Sequence, residues 1–192
     1  MSDSVITPYG RASFVALKAP HGSKQKPDDK KYSVSILLPP AADLAALKKL
    51  ASDTVKAKWG AELPKKLKSP VLDAFTVSEE ADKGPYAGYD KGWTLIRVST
   101  KLMPGFADQR GVGILPSSAR FDELFYSGAW IRAEVNAFAY DVDGNRGVSF
   151  GLQNVQFIKH DEQLGGRRPV EKVFGAIEDA EALPEGDADS IF

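Results

Sequence analysis

Two alternating rows of side chains carry the chemistry this chain could perform. Between residues 130 and 140 one row is Trp130, Arg132, Glu134, Asn136, Phe138 and Tyr140, and the intervening row is Ile131, Ala133, Val135, Ala137 and Ala139. Residues 93–102 divide in the same way, with Trp93, Leu95, Arg97, Ser99 and Lys101 set against Thr94, Ile96, Val98 and Leu102. Successive side chains of a strand point to opposite sides, so the first row of each segment is a face on which aromatic rings interleave with bases. Such a face suits a ligand of flat rings joined by phosphates. Each ring stacked on an aromatic side chain contributes about 1–3 kcal/mol, and Lys and Arg add a salt-sensitive term that is blind to sequence. The ligand implied is a single-stranded nucleic acid, whose bases are free to stack. On strand face alone, Trp93, Trp130, Phe138 and Tyr140 are the first stacking candidates, with Tyr32 and Phe106 second. Arg97, Lys101, Arg132 and Arg146 are the phosphate contacts, with Lys31 and Arg110 weaker ones. The competing reading for each aromatic is packing beneath a helix or a long loop.

A second feature lies at the other end of the charge scale. All 25 Lys and Arg precede residue 178, whereas residues 178–192 hold six of the 26 acids, so a body of charge +5 is tied to a tail of −6. With few apolar residues to bury, the tail is expected to be disordered. Its terminal Asp187, Asp189, Ile191 and Phe192 form an acidic stem with an apolar, aromatic tip that a partner pocket could grip. An acidic tail on a basic body can also occupy a polyanion site. The bland alternative is a solubilising tail.

Other motifs carry less. The run from Asp141 to Asn145 has Arg146 and Leu152 where a calcium loop needs Gly and Glu, so a turn is the better reading. His21 and His160 have no ligand neighbours at helical spacing. Gly165-Gly166-Arg167-Arg168 lacks the Lys-Ser/Thr of a phosphate loop, and Asp108, Asp122 and Glu123 show no spacing that marks a magnesium site. No catalytic constellation, metal site or cofactor is expected.

The elements that must position the two rows follow from periodicity. Residues 11–18 and 31–38 read as strands joined by a basic loop. Residues 43–59 read as an amphipathic helix, with Leu44, Leu47, Ala51 and Val55 on one side and Gly60 closing it. Residues 61–92, rich in Pro, Lys and Gly, predict long loops and short strands. Strands are predicted over 93–102, 129–140 and 147–158, the last two joined by a hairpin turn at Asp143-Gly144-Asn145. Residues 118–125 predict a short helix capped by Ser117 or Ser118. The small inward row of residues 131–139 suits a strongly curved sheet, as in partly open barrels of the oligonucleotide-binding (OB) type.

At 192 residues, the chain accommodates one domain with appendages. It has no cysteine, which excludes disulfides and thiolate chemistry and suits a reducing cytoplasm. The amino terminus lacks the basic and apolar regions of a signal peptide, and no apolar run reaches membrane-spanning length. No membrane partner is expected.

Several stretches occur in an order that resembles a known family. They are the run from Lys31 to Pro39, Ala57-Lys58-Trp59-Gly60, the run from Met103 to Asp108, Phe125-Tyr126-Ser127-Gly128, the hairpin from Asn136 to Asn145, and Leu164-Gly165-Gly166-Arg167. Together they resemble phage and prophage single-stranded DNA-binding proteins, across residues 11–176. The resemblance implies a mainly β, OB-fold-like, partly open barrel with one inserted helix over residues 1–177, and a disordered acidic tail over 178–192, similar to the single-stranded DNA-binding proteins of short-tailed phages. It further implies a non-catalytic role in phage DNA replication or recombination in the host cytoplasm. The tail would recruit replication proteins (polymerase, helicase or primase) and compete with DNA. A homodimer is left open. Phe106 departs from the aliphatic residue common at that place. Two rival classes remain: a structural or protein-interaction module of a phage without DNA binding, and a metal-dependent nuclease.

Overall fold

The computed structural model describes residues 3–22 and 26–165. In chain order the elements are β1 (Ser4–Ile6), β2 (Gly10–His21), β3 (Lys31–Leu38), α1 (Ala45–Trp59), β4 (Val71–Asp73), α2 (Ala74–Glu79), β5 (Thr94–Thr100), β6 (Gly105–Ala107), α3 (Ala119–Leu124), β7 (Trp130–Val142) and β8 (Asn145–Lys159). Residues 178–192, with the expected tail residues Asp187, Asp189, Ile191 and Phe192, lie outside the described residues, as do Gly166 and Arg167.

Five long strands wrap into a barrel. Strand β2 pairs antiparallel with β3, β3 with β5, and β7 with β8, while Gly10↔Ile131 and Arg11↔Trp130 bring β7 back to β2. The remaining seam, β5 with β8, is parallel and short, holding only Val98↔Phe150 and Ser99↔Gly151. Where these two strands diverge, β4 takes up the free edge of β5 from Thr94 to Ile96, and Lys68 bridges to Gly147 on β8. The result is a partly closed sheet with short edges at β1 and β6 rather than an even barrel. The β7–β8 hairpin turns on Asp143 and Gly144, with φ of 50° and 77°. A two-residue loop that follows the strand twist needs positive φ at both positions, which Asp tolerates and Gly favours.

Period-two alternation delivers the core as expected on β7, where Ile131, Ala133 and Val135 are buried against Val34, Ile36, Ile96, Val98, Phe150 and Leu152. Helix α1 covers one side by burying Leu47 and Leu50, with Leu44 and Ala51 half-buried at its margin. It begins two residues later than the pattern predicts, because Asp43 accepts a hydrogen bond from the Ala45 amide (2.9 Å) and acts before the first turn instead of within it. It ends at Gly60, whose amide donates to the Lys56 carbonyl at 2.8 Å. Residues 61–92 hold β4 as foreseen, but also α2, for which no helix was expected. Asp73 caps it by accepting from the Thr76 amide at 2.7 Å, which outweighs the weak helix propensity of Thr, Val and Ser.

Two face assignments are corrected. Leu95, read as outward, is fully buried, because the second face of β5 is covered by a smaller cluster of Leu37, Ala74, Tyr89 and Leu95, flanked by Leu72, Val77, Tyr86, Trp93 and Leu164. Leu102, read as inward, is 80% exposed, since β5 stops at Thr100 and the alternation stops with it.

Candidate nucleic-acid interface

The register of β3 on β5 builds the site. Ser33 faces Ser99, Ser35 faces Arg97 and Leu37 faces Leu95, and alternation puts all six on the outer face of the sheet. The Leu37–Leu95 end is roofed by the second cluster. Beyond it the face opens into a groove of about 510 Å³, lined by Phe14, Lys31, Ser33, Ser35, Arg97 and Ser99, together with residues at the base of the β2–β3 loop.

Phe14 borders this groove by way of a local irregularity. The pairing of β2 with β3 shifts between Ser13 and Ala16, and inside that bulge Phe14 has φ of 48° and is 55% exposed. A side chain with a Cβ disfavours that backbone region by about 1–2 kcal/mol, so the surrounding contacts must hold it there. Its ring meets Tyr86 edge-on, with centroids 5.0 Å apart and an interplanar angle of 82°, and lies 6.3 Å from Tyr89. Tyr89 is anchored in turn: its hydroxyl donates to Ser13 Oγ at 3.3 Å. Burial pushes the Tyr89 hydroxyl above its ordinary pKa, against the opposing pull of Ser13 and Ser35, so it remains a neutral donor at physiological pH.

Two of the expected phosphate contacts, Arg97 and Lys31, line this groove, and Lys101 joins them at its edge through Asp29. Arg97 is exposed, and no acid among the described residues forms an ion pair with it. Lys31 and Lys101 both reach Asp29. The remaining candidates are dispersed. Trp93 and Trp130 form a tilted pair, 6.4 Å between centroids, at the roofed end of the same face. Trp130 Nε1 donates to Asp161 Oδ2 at 2.7 Å and Lys159 Nζ stands 5.1 Å over its ring. That hydrogen bond is the first cause holding the Asp161 carboxyl below its ordinary range. Arg132 lines a separate cavity of about 550 Å³, where its Nε donates to Gln156 Oε1 at 2.8 Å and its guanidinium lies 5.7 Å over Tyr9. Phe138 (50% exposed) and half-buried Tyr140 stand on the projecting β7–β8 arm, near whose tip Arg146 Nε pairs with Asp141 at 2.8 Å. Arg110 is exposed in the turn after β6, and its backbone amide donates to Asp108.

Two candidates are displaced by packing. Phe106 is 7% exposed, with its ring 4.8 Å from Phe121 and 5.3 Å from Phe125, so it packs in the core and only borders the cavity of Arg132. Tyr32 is half-buried and shares its side of β3 with Val34 and Ile36, the core side, instead of the groove side. Residues missed from sequence are Phe14, Tyr86 and Tyr89. For Phe14 the strand itself carries no signal: the five-residue spacing between buried Ala12 and Leu17, which a regular strand cannot place on one face, shows only in the folded structure. Tyr86 and Tyr89 sat in a segment without periodicity.

A five-stranded barrel in the order β7-β2-β3-β5-β8, with its groove across the second and third barrel strands beside the loop joining the first two, defines an OB-fold protein. More narrowly, the chain belongs to the Enterobacter phage Enc34 ssDNA-binding protein family, whose model matches residues 3–184. That family is one of binders, not of enzymes. In structure the chain is similar to the single-stranded DNA-binding protein from bacteriophage Enc34, at 19% identity over 88% of each chain with a TM-score of 0.65. It is similar to the same phage protein in complex with ssDNA, at 20% identity over 84% of this chain and 89% of that one, with a TM-score of 0.67. Gp2.5, a single-stranded DNA-binding protein encoded by bacteriophage T7, matches at 10% identity over 84% and 94% of the chains, with a TM-score of 0.59. At these identities the structural likeness speaks for the fold. The curated proteins hold no match to the chain. Among the described residues no helix is long and apolar enough to cross a membrane.

Proposed function

We propose that this protein binds single-stranded DNA, with little sequence preference, during phage DNA replication or recombination in the host cytoplasm. The observation that carries the reading is the juxtaposition of an exposed Phe14, held at positive φ, with an exposed Arg97 that forms no ion pair among the described residues, on one open groove of the barrel. An unpaired base stacks on Phe14, Arg97 and the two lysines meet its flanking phosphates, and Ser33, Ser35 and Ser99 offer neutral hydrogen-bond partners that do not select one base. Trp93, Trp130 and the Phe138–Tyr140 arm are secondary contacts for a longer strand. Residues 1–177 form the binding domain in this reading, and residues 178–192 recruit replication proteins and compete with DNA for the groove. Family membership supports the reading.

The test is a fluorescence titration of the full chain with labelled poly-dT and a matched duplex at two salt concentrations. Tight binding to the single strand, weakened by salt and accompanied by tryptophan quenching, is the expected result. Equal affinity for the duplex, or no saturable binding, overturns the proposal. A chain lacking residues 178–192 is expected to bind more tightly than the full chain at low salt, and equal affinity removes the competing role of the tail.

A further inference from the structure

The described lining of the groove includes an acid. Among the described residues lining it, Lys26, Lys31 and Arg97 are basic and Asp29 is the one carboxylate. Its two oxygens are divided between two strands: Oδ2 lies 3.0 Å from Nζ of Lys31, at the start of β3, and Oδ1 lies 2.9 Å from Nζ of Lys101, just past the end of β5. Tyr32 pairs with Thr100, so the lysines flank the last rung of the ladder and their ammonium groups converge on one point. The hydrogen bonds from Lys101 and then Lys31 hold the Asp29 carboxyl below its ordinary range, so it is charged at neutral pH. Two anionic oxygens bridging two ammonium groups reproduce what the pair of non-bridging oxygens of a phosphodiester offers.

Resting on the reading above, we propose that Asp29 is a built-in stand-in for a backbone phosphate: it holds Lys31 and Lys101 together at the edge of the groove before DNA binds and is displaced from them by the incoming strand. Its position favours exchange. Asp29 belongs to the loop before β3, in a turn closed by its amide to the Lys26 carbonyl at 3.3 Å, and not to the rigid sheet. The ion pairs are substantially exposed, with Lys101 at 71%, and pairs of this kind are weak enough for a competing anion to replace. The consequence is a set point. The lysines are pre-arranged for phosphate, yet the affinity stays below what two unopposed ammonium groups would give, so the strand is released faster.

The experiment compares the full-length wild type, Asp29→Asn and Asp53→Asn for binding to a labelled oligo-dT at low and high salt, with dissociation rates and melting temperatures measured in parallel. Asp53 makes a similar pair with Lys49 on α1, outside the groove, and controls for net charge. Asp29→Asn is expected to bind roughly threefold to tenfold tighter at low salt and to dissociate more slowly, with the gain shrinking at high salt, while Asp53→Asn stays near wild type. Affinity of Asp29→Asn equal to or weaker than wild type overturns the proposal, and so does an equal gain in Asp53→Asn. If the wild type binds, such a result sinks only the role of Asp29. If no variant binds, the DNA-binding reading falls and takes this inference with it.

Discussion

The ring of Phe14 meets that of Tyr86 edge to face, with centroids 5.0 Å apart, while more than half of Phe14 remains in solvent. The contact braces a backbone that strand geometry alone would not produce, and it leaves ring surface open beside Arg97. Replacing Phe14 by Ala is expected to weaken binding to poly-dT on the order of tenfold to a hundredfold, the range of one lost stacked base. Phe14→Gly is expected to lose as much affinity but to melt higher than Phe14→Ala, because Gly adopts positive φ without strain. Titration and thermal melting of the two variants check this; wild-type affinity in either would remove Phe14 as a platform.

Arg97 and Arg132 are both on faces read from sequence as DNA-contacting, but they line different cavities. Arg97→Ala is expected to lower the slope of log affinity against log salt by about 0.7, the share of one phosphate contact on a single strand. Arg132→Ala, whose guanidinium is engaged by Gln156, is expected to leave that slope near wild type. Equal slopes for wild type and Arg97→Ala would remove Arg97 from the interface.

Trp93 belongs to the cluster roofing Leu37 and Leu95. Its replacement by Ala is expected to destabilise the fold by about 2 kcal/mol, less than for a fully buried aromatic because the ring is only half-buried. Urea denaturation measures this. DNA affinity per folded molecule should fall less than in Phe14→Ala; a larger fall would move the main stacking site to the tryptophan pair.

Asp108 organises the turn after β6. It is 3% exposed, its Oδ1 accepts from the amides of Val112 (3.0 Å) and Arg110 (2.9 Å), and its Oδ2 lies 3.3 Å from Arg120. The Val112 amide is the first cause holding its carboxyl below the ordinary value of 3.8. A carboxyl depressed in the folded state adds stability that is complete above the unfolded value and is lost as pH falls through the folded one. Melting temperature against pH should therefore drop less steeply below about 4 in Asp108→Asn than in wild type, with Asp108→Asn the less stable at neutral pH. Parallel curves for the two proteins would show that Asp108 does not set this acid limb.

Much of the architecture was legible because it is local. The strand from Lys31 to Leu38, the hairpin turn at Asp143-Gly144, the Ser118-capped helix and the small inward row of β7 each follow from neighbours in the chain, through alternation, turn chemistry and capping. The basic groups at the groove, Arg97 and Lys31 with Lys101 at its edge, were legible too, since charge keeps a side chain on a strand end or outer face out of the core. The aromatics were harder. Trp93, Phe106 and Phe14 carry comparable rings, yet one roofs a second cluster, one is sealed in the core and one stands open.

By itself, then, the sequence determined that this is a barrel-forming chain with a basic, aromatic outer face, because period-two patterning and charge are properties of a segment alone. Which rings reach the groove was decided only by tertiary structure. Alternation says that a strand has two sides, but what covers the second side comes from residues far along the chain, as when Ala74 and Tyr89 cover Leu95. The bulge at Phe14 reverses which face its neighbours occupy, and nothing within the strand specifies it, since it depends on the pairing with β3 and on the tyrosines brought up from residues 86–89.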